Sequence, residues 1–308
     1  MRRSILTWRI LDDDLVGTCH MQAESRIDGR IGILLLNSGP APRSGNSDLP
    51  VHIGDRLASR GIPVFRFDLP GLGDSSGSPP AEFNTYWLEV LQGRNNEVTL
   101  ALVVKLKQEF GLSGVIVGGL CAAAVTTLQV AGSHAGTIAG VILMEPALRF
   151  GEDIIPNFSQ SNMATALHVS GKTKLRQLFS VREWLRYLTG NSRVATMLRP
   201  LRPHLVRIQL LLFGHTLHGD MNVPLFMHWR RIHAQGTPSF VAVAEGQDMD
   251  RCVTHALDSL PTNGPGKVTL IRIPQTNHIL TSGQARDIVL DAVEHWSMAE
   301  CKIHVSAS

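Results

Sequence analysis

Apolar runs and amphipathic stretches alternate along most of this chain. Residues 5–30 predict a pair of strands interrupted by the turn-prone Asp12-Asp13-Asp14. Ile31 to Leu36 is continuously apolar, as expected of a strand covered on both faces, and it stops at Asn37-Ser38-Gly39-Pro40. His52 to Arg60 reads as a short helix closed by Gly61. Val64 to Phe67 is a second buried strand, running into Asp68-Leu69-Pro70-Gly71-Leu72-Gly73-Asp74. Residues 86–110 predict one long helix ending at Gly111. An apolar β-branched run at 115–117 then gives way to small residues, and Ile138 to Met144 forms the next strand. A helix near 223–235, strands at Ser239–Ala244 and Lys267–Ile273, and a last helix at Gln284–Trp296 complete the pattern. Strands alternating with helices predict an α/β fold with a mostly parallel central sheet flanked by helices. Residues 150–222 break the rhythm. They are richer in Arg, Leu and His, with helical spacing at Leu178, Trp184, Leu185 and Leu188. The expected organisation is a core of residues 1–149 and 223–308, with a helical cap insertion at 150–222 over the sheet's carboxyl edge.

Composition narrows the class. A chain of 308 residues, 44% hydrophobic and 18% charged, describes a soluble globular protein with a sizeable core. The net charge of +3 comes from 29 basic residues scattered among 26 acidic ones, too small a bias for a nucleic-acid partner or an anionic membrane. No stretch approaches the ~20 apolar residues of a membrane span. Met1-Arg2-Arg3 is not followed by an apolar segment and cleavage site, so no signal peptide is expected. Cys19, Cys121, Cys252 and Cys301 are widely spaced and form no Cys-x-x-Cys pair. A reducing cytoplasm is the expected location, and the glycosylation triplet Asn157-Phe158-Ser159 reads as chance.

Cys121 stands where a nucleophile belongs. The segment Val115-Ile116-Val117-Gly118-Gly119-Leu120-Cys121-Ala122-Ala123 is a strand, a sharp turn and a helix start. The G-x-S-x-G elbow of hydrolases is built this way, because small flanking residues let the strained turn pack against its own strand and helix. Here a thiol replaces the hydroxyl, and Ala123 replaces the last glycine. A thiol nucleophile needs a base, and the base an orienting carboxylate. In this topology the order along the chain is nucleophile, acid, histidine. His278 follows the last strand and is expected to be general base and acid. Asp248, after the strand at 239–244, is expected to orient it, with Asp250 and Glu145 as rivals. The oxyanion hole requires two backbone N–H groups. Ala122 supplies one at a helix start, and Ser38 or Gly39 supplies the other.

These motifs resemble the α/β-hydrolase superfamily. The resemblance rests on Leu-Leu-Asn-Ser-Gly, Arg-Phe-Asp-Leu-Pro-Gly-Leu-Gly-Asp-Ser, Gly-Gly-Leu-Cys and the late Asp and His, and covers about residues 28–150 and 223–300. Within the superfamily the chain is similar to the bacterial serine-aminopeptidase-like hydrolases, some of which carry an asparagine-led oxyanion loop and a Gly-Leu-Cys elbow. The resemblance implies acyl-enzyme chemistry on esters, thioesters or amides, with Cys121, His278 and Asp248 as the triad and Ser38, Gly39 and Ala122 around the oxyanion. Cysteine elbows are also similar to those of dienelactone hydrolases and polyhydroxyalkanoate synthases, which span hydrolysis and acyl transfer.

The expected function is therefore hydrolysis of an ester or thioester of a small metabolite through a Cys121 thioester. The alternatives are transfer of the acyl group to an amine or alcohol, or cyclisation, and a binding scaffold with a decayed elbow. The partner is a small acyl substrate, free or linked to CoA or a carrier, and neither an organic cofactor nor a metal is required. Arg43 and Leu120 are the candidates for contacting substrate, Arg43 as a bidentate donor to a carboxylate or phosphate. Trp184, Trp229 and Met227 either line an acyl pocket or fill the core. Gly71-Leu72-Gly73 with Gly77 lacks the dinucleotide spacing, and reads as a turn. His215, His218 and Asp220 lack a third strong ligand at helical spacing. The sequence leaves the oligomeric state open.

Overall fold

The structure, a computed structural model, describes residues 1–22, 28–78, 82–134, 136–148, 221–280 and 282–301. Eight strands among them form one sheet: β1 (Arg2–Ile10), β2 (Asp13–Met21), β3 (Ile31–Leu35), β4 (Val64–Phe67), β5 (Gly114–Leu120), β6 (Gly140–Met144), β7 (Ser239–Ala244) and β8 (Val268–Ile273). Their order is β1-β2-β4-β3-β5-β6-β7-β8. The first two form a hairpin from Arg2↔Met21 to Ile10↔Asp13, and β2 runs antiparallel to β4. Every pairing from β4 through β8 is parallel. Gly17 in β2 has no side chain because the Phe67 ring lies 2.6 Å from where a Cβ would stand.

Side chains alternate across this sheet, and the two faces are covered by different helices. Ile33, Leu35, Ile116, Ile142 and Phe240 pack with Leu49, Ile53 and Leu57 of α1 (Leu49–Ser59) and with Val289, Val293 and Trp296 of α7 (Gly283–Glu300). The helices α1 and α7 are also joined by ion pairs from Arg56 and Arg60 to Glu294. Contacts with β5 and β6 bring α4 (Ala122–Ser133) onto the sheet, and α3 (Asn96–Phe110) packs against α4 and β5. Arg231 of α5 (Val223–Ala234) reaches the Gly132 carbonyl of α4 at 2.6 Å. Trp229 is completely buried, as a core residue.

The helix expected over 86–110 is two helices, α2 (Phe83–Leu91) and α3. Gly93 takes a φ of 91° between them, in the left-handed region that a continuing helix does not allow. A helix that the sequence pattern did not predict, α6 (Asp248–Asp258), begins at Asp248. By contacts the chain divides into two units, Met1–Leu148 with Leu225–Ser308, and Arg149–Pro224. Residues 150–220 of the expected cap at 150–222, with Asn157, Trp184, His215, His218 and Asp220, lie outside the described residues. Among the described residues no helix is long and apolar enough to cross a membrane.

The parallel strands all end on one edge. Asn37, Asp68, Cys121, Glu145, Glu245 and the 274–280 loop follow β3, β4, β5, β6, β7 and β8 there. In open α/β sheets the carboxyl edge is where connecting loops leave a crevice for ligands.

Candidate active site

Cys121 is the turn between β5 and α4. Its backbone has φ 58° and ψ −107°, a strained conformation for a residue with a Cβ that costs on the order of 1–3 kcal/mol. The turn is held because the Cys121 N–H donates to the Met144 carbonyl at 2.9 Å, and the Cys121 carbonyl accepts from the Val125 N–H at 3.1 Å. Two glycines make the approach possible. A Cβ on Gly118 would meet the Ile142 carbonyl oxygen at 2.3 Å, and one on Gly119 would meet the Ala123 Cβ at 2.5 Å. Ala123 is tolerated where the elbow pattern has glycine because Gly119 leaves that space open.

His278 sits in the loop between β8 and α7. The loop is tied down on both sides of it. Gln247 Nε2 donates to the Thr276 carbonyl at 2.8 Å, and Leu280 is buried in the core cluster. Ser282 then caps α7, accepting from the Ala285 N–H at 3.1 Å. His278 Nδ1 lies 3.2 Å from Glu145 Oε2, which leaves Nε2 for the Cys121 sulfur. The hydrogen bond with Cys121, then the one with Glu145, push the imidazole up to about 10 against the opposing effect of burial.

Glu145 is the carboxylate behind the histidine. It follows β6 directly, is buried to 1% exposure, and has a left-handed backbone with φ 47°. Its N–H donates to the Ala242 carbonyl at 2.8 Å. Oε1 accepts from the Ala244 N–H, so one carboxylate oxygen is anchored to β7 and the other faces His278.

The structure places Glu145, and not the expected Asp248, against the His278 ring. Asp248 opens α6 with a side chain 65% exposed, paired at 3.8 Å with Arg251. It lines a cavity of about 410 Å³ together with Glu145, Gln247, Met249, Arg251 and His278, but the carboxylate hydrogen-bonded to Nδ1 is Glu145. Asp250 is occupied elsewhere: it accepts from the Gly246 N–H at 3.0 Å and from Arg272 Nε at 2.7 Å. The ends of β6 and β7 are neighbours in the sheet, so a carboxylate after either strand can approach a histidine after β8. The signal for Glu145 was Met144-Glu145-Pro146, a carboxylate immediately at a strand end.

Both residues expected to contact substrate make contacts within the protein. Arg43 is 16% exposed, and its guanidinium pairs with Asp68 and with Asp74 at 2.7 Å, while Nε donates to Thr18 Oγ1 at 3.1 Å. Two carboxylates and a hydroxyl therefore engage Nε and Nη1 of the guanidinium within the protein. Leu120 is 4% exposed and belongs to the central core cluster, since alternation along β5 turns it toward α1 and α7.

The expected oxyanion groups lie at the same edge. Ala122 is the first residue of α4, where amides have no intrahelical acceptor. Ser38 is nearly buried and Gly39 has φ 65°. Neither Ser38 nor Gly39 donates its N–H to a backbone acceptor among the described residues. The glycine-rich turn after β4 serves this loop. Asp68 is fully buried, and a Cβ on Gly73 would stand 2.2 Å from its Oδ2. Gly71-Leu72-Gly73 thus wraps a carboxylate.

His278 gives a pH-dependent readout. Its folded-state value lies above the ordinary 6.5, so the stabilisation from its pairing is complete below pH 6.5 and is lost as pH rises through about 10. An NMR titration of the His278 ring is expected to show a midpoint near 10. In Cys121→Ala the midpoint falls but stays above 6.5, because Glu145 remains. An unchanged midpoint would mean that the sulfur does not hold the proton.

Comparison with known proteins agrees with this architecture. A model of the Alpha/beta hydrolase family matches residues 33–292. Among solved structures, the chain is similar to DcsB in complex with its substrate analogue, with 12% identity, coverage of 97% of this chain and 99% of that one, and a TM-score of 0.58. It is similar to Est1E from Butyrivibrio proteoclasticus with ferulic acid bound, at 11% identity, 96% and 98% coverage and TM-score 0.57. The haloalkane dehalogenase DatA from Agrobacterium tumefaciens C58 matches at 15% identity, 97% of each chain and TM-score 0.57. At these identities the likeness concerns the fold. No curated protein matches the chain.

Proposed function

This chain belongs to the alpha/beta hydrolase family, and on that premise we propose that it is an acyl-transfer enzyme working through a thioester on Cys121. The observation that carries this reading is His278 held between Cys121 and Glu145, at the ends of three parallel strands.

In the resting site the proton sits on His278, stabilised by Cys121 and Glu145. The sulfur attacks as thiolate, since the thiolate is the nucleophilic form of cysteine. It forms a bond to the acyl carbon of an ester or thioester, and the carbonyl electrons move to oxygen. The N–H groups of Ala122 and of Ser38 or Gly39 stabilise that oxyanion. On collapse, the bond to the leaving group breaks and His278 delivers its proton to the departing oxygen or sulfur. Acylation removes the hydrogen bond that raises the imidazole most. The free base then takes a proton from the acceptor, and the same residue acts as acid in one half-reaction and base in the other. Glu145 holds the ring with Nε2 toward the sulfur.

Water as acceptor gives hydrolysis, and this is the proposed reaction. A second reading, transfer to an amine or alcohol, uses the same residues, and a pocket of about 410 Å³ beside His278 leaves room for either acceptor. The test is intact-mass detection of a butyryl adduct after mixing with p-nitrophenyl butyrate. The adduct should map to Cys121. Cys19 and Cys301, whose thiols burial pushes up to about 12, should remain unmodified. Adding a primary amine then separates the readings by whether butyrate or the butyramide is released. Modification of any other cysteine, or none at all, would remove the proposal.

A further inference from the structure

We propose that Tyr86 is a positioning residue that fixes the oxyanion loop through a hydrogen bond from its hydroxyl to the Gly39 carbonyl. The inference rests on the acyl-transfer reading, in which residues 38 and 39 face the developing oxyanion.

The loop is fastened on its two outer sides without Tyr86. Asn37 Nδ2 donates to the Ala41 carbonyl at 2.9 Å and to Asp68 Oδ1 at 3.0 Å, and Asn37 Oδ1 accepts from the Leu69 N–H at 2.9 Å. The Arg43 N–H donates to Asp68 Oδ1 at 2.5 Å. Between these anchors, the Ser38 carbonyl accepts from the Ala41 N–H at 3.4 Å. In a trans peptide the N–H points opposite to the carbonyl, so this contact turns the Gly39 N–H away from Ala41.

The soft point is Gly39 itself. It has φ 65°, and among the described residues no atom beyond its own chain neighbours lies within 4 Å of where its Cβ would be. Glycine moves between backbone wells at little cost, so packing at the Cβ position does not hold this peptide. Tyr86 supplies the missing restraint. Its hydroxyl lies 3.1 Å from the Gly39 oxygen in a buried contact, and the residue is 1% exposed. Burial raises the phenol above its ordinary value, so it remains a donor, and it stands close enough to Cys121 to feel the charge there. The turn at Gly93 that splits the expected helix gives Tyr86 a short helix of its own, α2. That helix is tied to α4 by the hydrogen bond from Gln129 Nε2 to the Leu91 carbonyl at 2.9 Å. The nucleophile's helix and the phenol's helix are therefore mutually fixed.

Two reactions of the same sulfur separate the loop from the nucleophile. Acylation by p-nitrophenyl butyrate creates an oxyanion, and alkylation by iodoacetamide does not. In Tyr86→Phe, which keeps the ring and its packing, the single-turnover acylation rate constant should fall about tenfold or more, the scale on which displaced catalytic groups lose rate. The alkylation rate of Cys121 should stay within about twofold, which also shows that the variant is folded. Unchanged acylation would overturn the proposal. So would an equal fall in both rates, because the phenol would then act through the cysteine–histidine pair or the fold. If wild-type Cys121 gives no adduct but is alkylated, the acyl-transfer reading itself fails.

Discussion

Cys121→Ala loses esterase turnover by about four orders of magnitude or more, the scale seen when a nucleophile that works with its base as one unit is removed. The residual rate should be independent of His278, so that Cys121→Ala with His278→Ala is no slower than Cys121→Ala alone. The reason is that His278 has no role in attack once the sulfur it serves is gone. Alanine keeps the Cβ that the φ 58° turn already accommodates. The variant should therefore still fold, with its thermal midpoint lowered near neutral pH by the loss of the His278 pairing and not by a cavity or new strain. Steady-state kinetics with p-nitrophenyl butyrate and a melting curve on the same sample make the measurement. A Cys121→Ala enzyme retaining more than a tenth of wild-type turnover would place the nucleophile elsewhere.

Glu145→Gln is expected to lower turnover by about a thousandfold to ten-thousandfold, the cost of removing the carboxylate that sets the tautomer of a catalytic imidazole. Glutamine retains an oxygen for the Ala244 N–H but places no charge beside His278. Asp248→Asn is expected to stay within about threefold, because its side chain is 65% exposed and its pairing with Arg251 is a surface one. The two variants decide between neighbouring strand ends. If Asp248→Asn shows the large loss and Glu145→Gln the small one, the acid is the residue after β7 and Glu145 is a buried brace. The His278 titration supplies a second readout, since Glu145→Gln should lower its midpoint from about 10.

Local sequence determined the strands, because each carries a run of apolar β-branched or aromatic residues bounded by turn formers. Val64–Phe67 and Ser239–Ala244 have the bounds that periodicity predicts. It also determined the elbow, since only glycines at 118 and 119 fit against Ile142 and Ala123, and that need shows as small residues in the chain. A cysteine, a carboxylate and a histidine, each after a strand, were equally legible as a sequence of residues. The tertiary structure decided everything that depends on distance between segments remote in sequence. It set Glu145, and not Asp248, against the His278 ring, since β6 and β7 end side by side and the angle at which α6 leaves the sheet is not written in its first residues. It gave Arg43 to Asp68 and Asp74, because a guanidinium goes to whichever carboxylates the folded chain brings near. It also brought the Tyr86 phenol to the Gly39 carbonyl, 47 residues away. Periodicity is a property of neighbours along the chain, whereas hydrogen bonds and charges act through space, and only the folded backbone sets those separations.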